Sequence, residues 1–422
     1  MDTFNYKCPG CGDNLTYDVK SKLMFCNSCG EFYPIDEAKT NVKFEAKTDE
    51  KTDVETDAKF ESDRKGQDNL NSDYDYNPNY MEVNIFHCSS CGAEIMTNDV
   101  EVSKFCAYCG QSTIVFDRVS KELRPDVILP FRLTKQEAIN RVLNRFLKAK
   151  CIADEIENIS VDSVYGIYMP YWLYDVWAQL GVKGDFKCNK TTYHLDEVGD
   201  KEMTVSLDAS KRLNDDISLL LNPFPTDEVE EFDSAYLSGF YADRFDVSYE
   251  KRKSDAEDVI TDILEEELIE GKPGVPTKQM RDTYGEVYKT FRVNQITRYA
   301  KRCDIKNIRY AFLPVYFITF RIKEKLVNIL VNGAGGKVIG SVPIDEEKLR
   351  AAEKRGMIGW GIGMGIAGAL LFGFMPLVWS IMVMGAFTFC ICFSGKKAKA
   401  KFEKIEEETN SESMFDISRN RE

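Results

Sequence analysis

Cysteine dominates the residues able to do chemistry. Of 13 cysteines, eight fall into four Cys-x-x-Cys pairs: Cys8 with Cys11, Cys26 with Cys29, Cys88 with Cys91, and Cys106 with Cys109. Fourteen residues separate the two pairs of each set, and the second set lies 80 positions after the first, as an internal duplication would leave it. A Cys-x-x-Cys step is a tight knuckle presenting two sulfurs, and two knuckles close a tetrahedral four-thiolate shell around zinc. The expectation is two Zn2+ per chain, one on Cys8, Cys11, Cys26 and Cys29 and one on Cys88, Cys91, Cys106 and Cys109. Gly12, Gly30, Gly92 and Gly110 each follow the last cysteine of a knuckle, where a positive φ is easy for glycine. Iron–sulfur binding or thiol redox chemistry would use the same residues and is the minority reading. Thiolates kept for a metal need a reducing compartment, which places this region in the cytosol. The other five cysteines, Cys151, Cys188, Cys303, Cys390 and Cys392, read as small buried apolar residues.

A closed four-thiolate shell leaves no coordination position for water, so no hydrolytic chemistry is expected there. His87 beside Cys88 reads as a strand residue, because the shell is complete without it. The chain has two histidines, His87 and His194, and no Gly-x-Ser-x-Gly. Gly333-Ala-Gly-Gly-Lys337 lacks the spacing and the Ser/Thr of a phosphate-binding loop. No catalytic or cofactor-binding residues are assigned, and the expectation is that the chain is not an enzyme.

The elements that must position the cysteines divide the chain into ribbon 1 (residues 1–36), a charged linker (37–81), ribbon 2 (82–118), an α+β domain (119–355), an apolar segment (356–395) and a polar tail (396–422). The linker is too polar to offset its ordering entropy, so it reads as a disordered tether that lets ribbon 1 range away from ribbon 2. In the central domain, Thr134-Lys-Gln-Glu137 reads as a capping box ahead of a helix carrying Ala138, Ile139, Val142, Leu143, Phe146 and Leu147. A second helix is predicted over 256–269, and strands over 164–180, 310–322 and 326–331. Asn332-Gly333 and Gly335-Gly336 then suggest a hairpin into 338–342. Ile167-Tyr-Met-Pro-Tyr-Trp-Leu-Tyr174 resembles Ala311-Phe-Leu-Pro-Val-Tyr-Phe-Ile318, as matching corners of a duplicated sheet would. The aromatics at 165, 168, 171, 172, 174 and 177 read as core in preference to a ligand groove.

From Gly356 to Gly395 there is no Asp, Glu, Lys, Arg or His. One helix of that length would be about twice the roughly 30 Å hydrocarbon core, so two passes breaking near Pro376 are expected. Lys354 and Arg355 precede the segment, and Lys396, Lys397, Lys399 and Lys401 follow it. Basic flanks on both sides predict a two-helix cell-membrane protein with both termini cytoplasmic. Gly361 and Gly365 form a small-xxx-small pair that could support packing within the hairpin or homo-oligomerisation. The expected fold class is thus α+β: two small zinc ribbons, a mixed α/β soluble domain with an antiparallel sheet, and a C-terminal transmembrane helical hairpin.

With these motifs in hand, the chain resembles a bacterial family of twin-zinc-ribbon membrane proteins. The likeness is carried by both ribbons, Leu123-Arg-Pro-Asp-Val-Ile-Leu-Pro-Phe131, Gly166–Trp172, Ala235-Tyr-Leu-Ser-Gly-Phe-Tyr-Ala-Asp243 and Asn332–Gly340. Members are often labelled as basal-transcription-factor-type zinc ribbons or replication-restart helicases, but helicase motor motifs are absent from this sequence. The resemblance implies membrane-stress partners, SPFH-domain and phage-shock-type proteins. Three functions are weighed: a membrane-anchored adaptor for cytoplasmic or membrane proteins, a membrane-tethered nucleic-acid-binding ribbon, and a thiol or zinc sensor. Net charge is −14, with pI near 5.0. Residues 1–36 hold three Lys/Arg against five Asp/Glu, and 82–118 hold two against five. A phosphate-binding footprint is therefore missing, which favours the adaptor.

Overall fold

The computed structural model describes residues 6–40, 80–97, 106, 108, 114–148, 159–188, 191–213, 215–270, 272, 296–322 and 325–340. Ribbon 1 is a three-stranded antiparallel sheet of β1 (Leu15–Asp18), β2 (Leu23–Cys26) and β3 (Phe32–Tyr33), closed by helix α1 (Ile35–Thr40). Ribbon 2 follows with β4 (Tyr80–Cys88), β5 (Glu94–Thr97) and β6 (Ile114–Leu123). The rest comprises β7 (Val127–Ile128), α2 (Lys135–Lys148), β8 (Ser160–Cys188), β9 (Thr191–Asp208), α3 (Asp215–Leu221), β10 (Glu230–Glu231), β11 (Tyr241–Ala242), α4 (Tyr249–Ile269), β12 (Ile296–Ile322), β13 (Lys325–Asn332) and β14 (Val338–Ile339). The strands of ribbon 2 and of the central region join in one 11-stranded sheet.

The spine of that sheet is the antiparallel pair β8 and β12, and an internal twofold relation runs through it. Met169 lies opposite Leu313, with Ile167 opposite Val315 and Tyr171 opposite Ala311. The two look-alike segments thus cross each other at their prolines. Each spine strand has one long antiparallel partner, β9 on β8 and β13 on β12. Each also has one short parallel partner. Tyr241 and Ala242 of β11 pair with Ile167 and Tyr168, and Val127 and Ile128 of β7 pair with the equivalent Ala311 and Phe312.

The equivalence extends to individual hydrogen bonds. The Trp172 indole N–H donates to the Val247 carbonyl at 2.8 Å, and Tyr316 Oη donates to the Leu133 carbonyl at 2.7 Å. The Ala209 amide donates to Pro170 O at 2.9 Å, and the Gly333 amide donates to Pro314 O at 2.8 Å. The chain therefore contains two copies of one unit, β7–α2–β8–β9 and β11–α4–β12–β13, with the short first strand of each copy paired to the other copy. Buried aromatics fill the spine: Tyr168, Tyr171, Trp172, Tyr174, Tyr310, Phe312 and Tyr316. Each spine strand carries a proline at its middle, and the carbonyl of that proline receives the amide that follows the hairpin partner, Ala209 at Pro170 and Gly333 at Pro314.

Local signals were honoured where they were strongest. Thr134 caps α2 with a reciprocal box: its amide donates to the Glu137 carboxylate at 2.8 Å, and the Glu137 amide donates to Thr134 Oγ1 at 3.3 Å. The helix predicted over 256–269 starts about two turns earlier, at Tyr249, and buries Ala256, Ile260 and Leu264. The predicted strand over 164–180 extends to Cys188, and that over 310–322 begins at Ile296. Those extensions are largely polar, and that of β8 holds Gly181 and Gly184, so no alternation marks them. They persist because each is paired to β9 or to the other spine strand.

Two expectations are corrected. The α+β class with an antiparallel sheet gives way to a mostly-sheet architecture. Its mixed sheet includes the parallel pairs β7·β12 and β8·β11, and strand residues outnumber helical ones among the described residues. The second correction concerns the membrane. Among the described residues no helix is long and apolar enough to cross one, so the transmembrane hairpin and the two-pass cell-membrane placement with cytoplasmic termini are withdrawn. Residues 356–395, on which that hairpin and its Gly361/Gly365 pair fall, lie outside the described residues, as does most of the 37–81 linker.

Candidate metal centres

Three knuckles share one local geometry. The Cys8 amide donates to Asp13 O at 2.7 Å, and Gly12, at φ 79°, donates back to Cys8 O at 2.9 Å. Cys26 with Gly30 (φ 78°) and Cys88 with Gly92 (φ 75°) repeat the pattern. The glycines are required here: a left-handed backbone at that step costs an L side chain roughly 1–2 kcal/mol. Gly110, the fourth of the set, lies outside the described residues.

In ribbon 1 the sulfurs of Cys8, Cys11, Cys26 and Cys29 all lie within 4.8 Å of one another. Cys8 Sγ is 3.5 Å from Cys29 Sγ, and Cys11 Sγ is 3.4 Å from Cys26 Sγ. Tyr33 Oη lies 3.6 Å from Cys8 Sγ, the separation of a sulfur hydrogen bond. Burial raises the Cys8 thiol, but the Cys11 and Gly10 amides and the Tyr33 hydroxyl outweigh it and bring it down to about 6. Cys29 goes the other way, to about 12: the Glu31 amide favours its thiolate, while Cys26, burial and Cys8 oppose it more strongly. Four thiols this close cannot all ionise unaided, and a divalent cation bound among them would supply the missing charge.

In ribbon 2 the sulfurs of Cys88, Cys91 and Cys106 also lie within 4.8 Å of one another, with Cys91 and Cys106 3.8 Å apart. Cys109, the fourth ligand expected from spacing, lies outside the described residues. His87 is in β4, paired with Glu94 and Val115, as a strand residue should be. Both cysteine clusters can hold a metal ion, and their all-sulfur donor sets suit zinc.

What the spacing did not disclose is how the ribbons are seated. Ribbon 1 is docked, contrary to the expectation that it ranges freely. The Tyr17 ring packs edge-on to Tyr236 at 5.0 Å, and the Tyr17 amide donates to Ser238 O at 3.0 Å. Tyr6 Oη lies 2.8 Å from Ser234 Oγ, and Gly239 brings the chain close to Thr16. In ribbon 2, Tyr108 is buried, its hydroxyl donating to Met169 Sδ at 3.7 Å on the internal twofold and its ring edge-on to Phe317 at 5.3 Å. The Arg212 guanidinium lies 5.9 Å over the same ring and donates to the Glu94 carbonyl at 2.9 Å. The aromatics near the knuckles are thereby largely spoken for. Phe25 packs on Phe32 at 4.7 Å, Tyr33 faces Cys8 and Tyr108 is core, leaving Phe32 exposed.

Among curated proteins the chain is similar to a Bacillus subtilis (strain 168) protein named "Uncharacterized protein YdjG". The two are 24% identical over 365 residues, covering 82% of this chain and 92% of that protein. No family model matches the chain, and no solved structure matches it.

Proposed function

We propose that this chain is a non-enzymatic adaptor, held together by two structural zinc ions, that docks partner proteins along the outer edge of ribbon 2. Each zinc is assigned four thiolates, with Cys109 completing the second set. The observation that carries the reading is β6. This ten-residue strand ends the sheet order, and among the described residues its outer edge has no partner strand. It presents Val115, Phe116 and Val119 at 56%, 56% and 54% exposure. An unpaired edge with apolar side chains is normally blunted or covered, and an extended peptide can add to it as a further strand. Zinc in ribbon 2 would hold the edge rigid, because β6 follows the last knuckle directly. SPFH-domain and phage-shock-type proteins, implied by the resemblance, are the first partners to try.

The test is quantitative capture of those purified partners by the full chain and by Val119→Lys. Val119 is exposed, so the lysine leaves the fold intact while placing a charge on the edge. Capture lost by tenfold or more in the variant, at unchanged zinc content, is the expected result. Equal capture by both would remove β6 from the account.

A further inference from the structure

The two cysteine clusters sit in unlike surroundings. In ribbon 2, Cys88 and Cys106 are buried and Cys91 is half-buried, whereas Cys11 and Cys29 of ribbon 1 are exposed. The strands of ribbon 2 belong to the 11-stranded sheet: β4 pairs with β5 and β6, and β5 pairs with β11. Ribbon 1 keeps a separate three-stranded sheet. Residues 6–40 are too few for a self-sufficient core, since chains below roughly 40 residues usually need a metal or disulfides to fold. A metal held by the four thiolates of ribbon 1 would therefore contribute folding free energy directly.

The contacts that seat ribbon 1 come from the hairpin closed by its first knuckle. The Cys8 amide donates to Asp13 O at 2.7 Å and the Leu15 amide to Tyr6 O at 2.8 Å, so Tyr6 and Tyr17 stand on the two arms of the Cys8–Cys11 turn. Both are buried against the 234–239 turn. Tyr6 Oη donates to Asp233 Oδ1 at 3.3 Å beside its contact with Ser234, and Tyr17 meets Tyr236 edge-on. Tyr6, Cys8, Leu15, Tyr17 and Cys26 share one continuous apolar cluster with Tyr236, Leu237 and Phe240. The 234–239 turn fits the folded hairpin and not an unfolded one, so docking and metal binding at ribbon 1 are linked reciprocally.

We infer that ribbon 1 is a zinc-gated cover. With zinc it occupies the 234–239 turn; on giving up its zinc it unfolds and bares that turn, while ribbon 2 keeps its metal and its place in the sheet. The inference rests on the assignment of zinc to both clusters and concerns a different face from β6. Exposed Cys11 and Cys29 give a competing chelator access to ribbon 1. Buried Cys88 and Cys106, with Tyr108 packed beside them on Met169 and Phe317, deny it at ribbon 2.

Chelator titration of the zinc-loaded full chain tests the inference, with hydroxyl-radical labelling of tyrosines read by peptide mass spectrometry. Release of the first equivalent of zinc should raise labelling of Tyr17 and Tyr236 about tenfold or more while Tyr108 stays protected, and added zinc should reverse the change. Tyr236→Ala removes part of the seat and no metal ligand; it should weaken the more labile zinc site about tenfold and leave the other unchanged. Cys29→Ser should hold one equivalent of zinc and label at Tyr236 without chelator. Release of both equivalents together, protection of Tyr236 after the first has left or in Cys29→Ser, or unchanged zinc affinity in Tyr236→Ala would overturn the proposal. A chain carrying no zinc before titration would overturn the zinc assignment with it, an outcome that the starting metal content reports separately.

Discussion

At the scale of single residues, the cysteines and Asp208 lie at opposite ends of legibility. Cys-x-x-Cys spacing constrains backbone and side chain together, so the knuckles with their positive-φ glycines could be read directly from the chain. Asp208 looks like any polar residue at the end of a strand. Only its burial sets it apart, with Oδ1 accepting the Ser210 amide at 3.0 Å and Oδ2 without a partner among the described residues, and that burial depends on contacts far away in sequence. Its titration gives a signed prediction. The unfolded carboxyl titrates near 3.8, while burial holds the folded one well above that. The proton bound in the folded state therefore contributes stability that is complete below about pH 4 and is lost as pH rises through the folded value. Asp208→Asn, which has no charge to bury, should melt higher than wild type at pH 7. Below pH 4 that advantage should vanish; an advantage of the same size at both pH values would mean that ionisation is not its source. Tyr316→Phe tests the twofold contacts. It strands the buried Leu133 carbonyl and should cost about 1–2 kcal/mol in a denaturant titration, whereas an unchanged midpoint would show that the contact carries no weight.

Elements were predicted where periodicity and caps were strong. The box at Thr134 and Glu137 fixed the start of α2, and the buried face of α4 was visible from Ile260 and Leu264. The spine strands were underestimated because their outer halves, such as Gly181–Cys188, carry no alternation and depend on β9 and on each other for pairing. Aromatic density around Tyr168–Tyr174 correctly signalled core. Close approach at the spine is enforced by glycine: a Cβ added at Gly166 would lie 2.5 Å from a Phe240 ring carbon, which is itself packed on Phe131 at 4.4 Å. Gly166→Ala must displace a ring locked in the core and should destabilise by about 1–3 kcal/mol. The denaturation midpoint checks it, and a neutral substitution would mean that the ring stack is looser than its geometry.

For the whole molecule, the two look-alike segments were visible in the sequence as isolated octamers. The exchange of β7 and β11 between the copies was not, because two-residue strands leave no pattern and their partners are far apart along the chain. The same distance hid the docking of ribbon 1, whose Tyr17 meets Tyr236 across more than half of the described chain. The polar linker suggested independence, but the seat for the ribbon lies on the duplicated sheet. Cysteine clusters, ribbons and sheet thus form a continuous structure, with ribbon 1 seated through the edge-on pair Tyr17–Tyr236 and ribbon 2 through buried Tyr108 against the aromatic spine. The α+β membrane architecture expected at first gave weight to helices and to the apolar 356–395 segment, whereas the described mass of the chain is sheet.

The central claim is that two all-thiolate zinc centres hold both ribbons in place, and elemental analysis of the purified full-length chain addresses it most directly. The account predicts two equivalents of zinc per chain and a featureless visible spectrum. One equivalent or none, or the absorbance of an iron–sulfur cluster, would contradict it.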